Sequence, residues 1–141
     1  MSRIIQAPIK SLNGATSNGA GSFVDVRDYK NVTLAVYTTG STNATIKFAV
    51  SNALKVPTFS SAPSTTNVYD YVQISPVNSQ LTANLLSGST GIVLTGTDIV
   101  KLYEVNSFND AVSFRWLCPI ISGYTTGTIT VEITGSADVN R

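Results

Sequence analysis

Histidine is absent from this 141-residue sequence, and cysteine and tryptophan each occur once. Without imidazole there is no Ser-His-Asp triad, no histidine metal ligand and no ordinary general base near neutral pH. The lone Cys118 excludes an intrachain disulfide framework and a multi-cysteine metal site. Charge is scarce as well: 12% of the residues are Asp, Glu, Lys or Arg, about half the usual ~25%. Nine basic and eight acidic residues are scattered singly, for a net charge of +1. The clustered cationic stripe that nucleic-acid binding needs is therefore missing. No apolar run approaches the length of a membrane span, and the first residues, Met-Ser-Arg-Ile-Ile-Gln-Ala-Pro, hold no apolar signal core. The expectation is a chain made soluble, exported by no standard signal, with no catalysis, no cofactor, no nucleic acid and no membrane partner.

What is present points to strands. Ser, Thr and Asn occupy the places charges would take, and Thr and Val suit a pleated, half-buried surface. A chain of this length forms one domain that buries about 68–70% of its unfolded surface. A near-neutral surface with few charges does little to oppose association, so an assembled state is expected. The densest apolar stretch is Ala111 to Ile121, which holds the only Trp and the only Cys. In it Val112, Phe114, Trp116 and Cys118 alternate with Ser113, Arg115 and Leu117, the period of a strand. That strand belongs mid-sheet, with Phe114 and Trp116 under a second layer and Pro119 stopping its ladder. Arg115 would face away from both rings, toward Glu104, Glu132 or a neighbouring chain.

In chain order, Arg3 to Ile9 is a short apolar piece interrupted by Pro8, and Lys10 to Gly21 is a small-residue linker, flexible by composition. Two readings stay open for it: the first strand of the same sheet followed by a long loop, or an arm that adds to a neighbour's sheet edge. Ser22 to Val26 is a strand. Val32, Leu34 and Val36, then Ala44, Ile46, Phe48 and Val50, alternate on either side of Thr39 to Asn43 and predict an antiparallel hairpin. Ser51 to Asn67 is too long for an ordinary connection, and Lys55, Val56 and Phe59 stand out on it. It either contacts a partner or packs across the mouth of the fold. Further strands are expected over Val68 to Ile74, ended by Pro76, over Gly91 to Gly96, over Asp98 to Val105 and over Thr128 to Thr134. The reading is all-β: a single antiparallel β-sandwich, jelly-roll-like or Ig-like, of about eight or nine strands. An N-terminal arm and flexible linker would occupy residues 1–21, and the sandwich domain residues 22–141.

Asp25, Asp28, Asp98 and Glu104 supply oxygens for a calcium site in principle, but no EF-hand spacing supports one; turn and surface roles are simpler. Trp116 in an alternating apolar strand reads as core rather than as a sugar platform. Cys118, beside Leu117 and Pro119, reads as a small buried hydrophobe.

Several phrases, taken in order, resemble a family of small structural proteins of tailed phages and prophages. They are Phe23-Val24-Asp25-Val26 with Asp28-Tyr29-Lys30-Asn31-Val32-Thr33-Leu34, Thr45-Ile46-Lys47-Phe48, and Thr90-Gly91-Ile92-Val93 with Thr95-Gly96-Thr97-Asp98. Tyr103-Glu104-Val105-Asn106, Arg115-Trp116 and the run from Ile121 to Val131 follow. The resemblance runs from about residue 22 to 134 and implies a virion component without enzymatic activity, assembled in the host cytoplasm. It carries no functional residue over. The function expected from it is a capsid decoration (cement) protein, a homo-oligomer and specifically a trimer, that clamps neighbouring major capsid subunits. Arg3, Ile4 and Ile5 on the arm, with Lys55 and Phe59 on the long loop, are the expected partner contacts. The alternatives are a tail or baseplate subunit, and a glycan-binding receptor module stacking sugars on Tyr69, Tyr71 and Tyr124.

Overall fold

The computed structural model describes residues 2–5, 8–77, 89–105 and 114–139. Among them there are ten strands and no helix: β1 (Ser2–Ile5), β2 (Ile9–Ala15), β3 (Gly19–Ala20), β4 (Val24–Asp25), β5 (Asn31–Ser51), β6 (Asp70–Tyr71), β7 (Ile74–Pro76), β8 (Ile92–Thr97), β9 (Val100–Val105) and β10 (Trp116–Val139). The antiparallel pair of β5 and β10 is the axis of the molecule, in register from Trp116 opposite Ser51 to Ser136 opposite Asn31. The far edge of β10 takes β4, β3, β2 and β1 in turn. The far edge of β5 takes β6, β8 and β9, and β7 lies beyond β9. Every pairing is antiparallel.

Both long strands bend at the middle, and the bend makes two layers of one sheet. Between Ser122 and Thr126, β10 spends more residues than β5; between Thr126 and Thr128 the excess passes to β5. Such paired irregularities sharpen the local twist while leaving the phase on either side unchanged. Gly127 sits in this bend at φ 104°, and a Cβ there would collide with Thr42. Opposite it, Asp98 (φ 49°) accepts a hydrogen bond on Oδ1 from the Gly40 N–H at 2.8 Å. Consequently Val32, Leu34 and Val36 from one half of β5 share a core with Ala44, Ile46, Phe48 and Val50 from the other. Leu117, Ile121, Ile129, Val131 and Ile133 of β10, with Ile92, Leu94 and Tyr103, join it, as do Leu12, Val24, Val26, Val72 and Ile74. The all-β antiparallel sandwich is the observed fold.

Four local expectations change. The hairpin over residues 32–50 is instead one continuous strand: from Val32 to Val50 every even-numbered residue except Gly40 is buried, with Thr38 and Thr42 between the two apolar runs. Pro119 does not stop its strand but lies within β10, opposite Phe48. Its missing N–H falls on the edge between β4 and β3, where its carbonyl accepts from the Gly21 N–H at 2.9 Å, so no regular ladder bond is lost there. The linker expected over residues 10–21 is largely β2 and β3, and Leu12 on it is buried. The strand expected over Val68 to Ile74 is broken into β6 and β7. The Ala111 to Ser113 start of the predicted central strand lies outside the described residues.

Candidate partner-contact surfaces

Arg3, Ile4 and Ile5 are placed in β1, opposite Asp138, Ala137 and Ser136 of the same chain. Of the two readings left open for this piece, the structure takes the first: it is an edge strand of the chain's own sheet, with one of its two edges on β10. The reason is registry: β10 extends to Val139, well beyond β2, and leaves a free edge for the first residues to cover.

The long loop after β5 folds back over the outer face of the sheet. Ala49 and Cys118 point outward from the main core, yet both are fully buried, because Phe59 and Tyr69 pack on them as a second, smaller core. The two rings lie 5.2 Å apart. Tyr69 donates its hydroxyl to Ser61 O at 2.6 Å. Asn67 clamps the loop: its Oδ1 accepts from Thr58 N at 2.8 Å, and its Nδ2 donates to Thr58 O at 2.9 Å and Ala62 O at 3.0 Å. Burial pushes the Cys118 thiol from its ordinary 9.0 up to about 12, which leaves it inert as a nucleophile. Burial likewise raises Tyr69 to about 12, with Tyr71 adding to the effect.

Phe59 is therefore corrected as a contact residue: it is 6% exposed, and its ring is used inside the chain. Lys55, in contrast, is exposed. It lines a shallow groove of about 230 Å³ together with Ala53, Val56 and Val68. The groove adjoins Trp116 through Ala53.

There Phe23 meets Trp116 edge-on, with ring centroids 5.3 Å apart. The Trp116 indole N–H donates to Ala53 O at 3.0 Å, tying β10 to the loop. Trp116 packs against the second core and Phe114 against the main one, so the two rings do not share a face as the alternation implied. Arg115 is corrected too. Its guanidinium carbon lies 4.7 Å from the Trp116 ring centroid, a cation–π contact, and neither Glu104 nor Glu132 pairs with it. Glu132 instead accepts from the Tyr37 hydroxyl at 3.3 Å.

The remaining candidates disperse. Asp25 pairs with Arg27 at 3.4 Å, and Asp98 serves the Gly40 bend; no group of three metal-ligating side chains forms among the described residues. Tyr69 is buried, Tyr71 is half-buried beside Lys47, and Tyr124 donates to Gly127 O at 2.7 Å against the main core. They do not form one sugar-stacking face. Sequence reasoning missed Asn67 and Leu54, the latter 90% exposed. Nothing local distinguishes an exposed loop leucine from a buried one.

No protein-family model matches the chain, and no curated protein matches it in sequence. Among solved structures it is similar to the SPBc2 prophage-derived protein YomS, with a TM-score of 0.64 over 97% of this chain and 96% of that one, at 13% identity. At that identity the likeness shows the fold. This chain thus shares, nearly end to end, the all-β architecture of a prophage-derived protein.

Proposed function

We propose that the chain is a structural protein of a tailed-phage virion, and specifically a capsid decoration (cement) protein. It oligomerises, as a trimer, and bridges neighbouring major capsid subunits on the outside of the head. The observation that carries the reading is the fold shared over 97% of the chain with a prophage-derived protein. The ordered phrases between residues 22 and 134 that resemble phage structural proteins support it from the sequence side. So does the physical character of the molecule. A stiff sandwich with two apolar cores and a charge content of 12% binds through shape and apolar contact rather than through long-range steering. A lattice position offers the closed symmetry that such a subunit repeats.

The test is the copy number of this chain per purified virion relative to the major capsid protein, by quantitative mass spectrometry. Comparable abundance is expected. A number far below that of the capsid protein would move the subunit to the tail or baseplate, and absence from the particle would overturn the virion reading.

A further inference from the structure

Where β4, the start of β10 and the loop after β5 meet, the molecule presents a surface its own folding does not use. Phe23 is 49% exposed, Val68 58% and Leu54 90%. These residues are continuous with Trp116, through the Phe23–Trp116 ring contact and the indole bond to Ala53, the neighbour of Leu54. Exposure of this kind does not arise from a loose loop. Ser51 Oγ donates to Val68 O at 2.6 Å and accepts from Ala53 N at 3.1 Å, and the Arg115 N–H donates to Asn52 Oδ1 at 3.1 Å. The backbone leading into Leu54 is pinned at Ser51 and Ala53 before any partner arrives, which lowers the ordering cost of binding.

The surface also carries cationic charge. Arg115 lies over Trp116 with no carboxylate partner among the described residues, and its Nε is buried without an acceptor. Lys55 is exposed on the same loop. The nearest acidic group in the ladder, Asp25 opposite Trp116, is engaged by Arg27. Two cations without a carboxylate partner among the described residues are too few for a phosphate backbone, which takes about six to ten contacts for firm binding. A sugar would leave Leu54 and Val68 without an apolar complement. Trp and Arg around an apolar centre are the residues on which protein–protein binding energy concentrates.

We propose that this end of the sandwich is the docking site for an extended segment of a partner protein that carries an apolar side chain flanked by carboxylates. The apolar side chain packs on Phe23, Trp116 and Leu54, and the carboxylates meet Arg115 and Lys55. The proposal deepens the virion reading by naming the contact surface.

Trp116 is the only tryptophan, so its emission reports the site directly. The full chain is titrated with the synthetic peptide Asp-Leu-Phe-Glu-Asp and with its counterpart in which lysines replace the acidic residues. A saturable shift with the acidic peptide is expected, at least tenfold weaker with the basic one and with the Leu54→Ser/Lys55→Glu variant. Both altered residues are exposed, so this variant folds. An equal response to both peptides, no response up to millimolar concentration, or a saturable response to a dT15 oligonucleotide or to sialyllactose would overturn the site. In purified particles the variant should lose at least nine-tenths of its copies. Wild-type occupancy by the variant would sink the site and leave the virion reading standing. Absence of the wild-type chain from particles would remove the virion reading, and the peptide titration alone would then decide the site.

Discussion

The two layers of the sandwich treat their outer faces differently. In one, β6 and the facing halves of β5 and β10 point Ala49 and Cys118 away from the main core, and the chain returns to cover them with Phe59 and Tyr69. In the other, β9 points Val100 and Leu102 outward beside Ala35 and Tyr37, and these are left 73% and 52% exposed. The pleat explains why both faces exist, since every strand must aim alternate side chains outward. Among the described residues, what separates them is the connection that lies over the first. The first layer has a long connection between Ser51 and Asp70 to lay over itself. Among the described residues, the second has only the edge of β7, and the space beside it is a groove lined by Pro76, Val77, Val100, Leu102 and Tyr103. Inner-face residues are thus demanded by the fold, whereas outer-face burial depends on which loop happens to reach.

The largest effects should follow that division. Phe48 is 1% exposed in the core shared by both layers, and truncation to alanine leaves a cavity that neither layer can collapse into alone. Phe48→Ala is expected to cost about 3–5 kcal/mol in urea unfolding. Phe59→Ala falls in the smaller core, under a loop that can settle, and should cost about 2–3 kcal/mol. Its distinguishing effect is local: the Cys118 thiol, now shielded, should react with Ellman's reagent under native conditions while the far-UV spectrum is kept. An unreactive Cys118 in that variant would mean that the two cores are one cooperative body.

How much of this was readable depends on range. The alternation in Val32 to Val36, Ala44 to Val50 and Ile129 to Ile133 was legible, because period two is a local property and each inward residue is found inward. The continuity of β5 was not, since Thr39-Gly40-Ser41-Thr42-Asn43 has the composition of a turn; the clue was that even-numbered residues stay apolar on both sides of it. Arg115 defeated the parity argument because it precedes Trp116, where β10 begins, and so need not alternate with it. Leu117, Cys118 and Pro119 are all buried, which only a strand covered on both faces allows. Of the candidate contacts, the exposure of Lys55 could be read from the loop, but whether Phe59 turned inward or outward depended on a sheet face formed by residues far away in sequence. The edge that takes Arg3 to Ile5 is equally non-local.

An intermediate effect should appear in alkali, and it too belongs to the covered layer. Cys118 is raised from 9.0 to about 12 and Tyr69 from 10.0 to about 12, both chiefly by burial. Between those limits the unfolded chain releases protons that the folded chain retains, so stability falls as pH rises. It is intact below about pH 9 and declines toward pH 12, at up to about 1.4 kcal/mol per pH unit for each fully shielded group. Denaturation midpoints followed from pH 8 to 11.5 should show the decline, and Cys118→Ala should flatten its lower part. A midpoint independent of pH over that range would contradict the shielding of both groups.

The smallest effect tests the bare face. Val100 and Leu102 make their ladder bonds through the backbone to β5, so replacing their side chains leaves those bonds untouched. Thr keeps the β-branched shape at Val100 and a strand-favouring one at Leu102. Val100→Thr and Leu102→Thr should each shift the free energy of unfolding by no more than about 0.5 kcal/mol, as exposed substitutions do. Measured on the isolated chain across a hundredfold range of concentration, the shift should also be independent of concentration. A loss of about 2 kcal/mol or more that is independent of concentration would mean that the chain covers this face itself. The same loss growing with concentration would mean that a second copy does, since binding to the folded form adds stability by mass action. Either result would erase the contrast between the layers; a null shift keeps it.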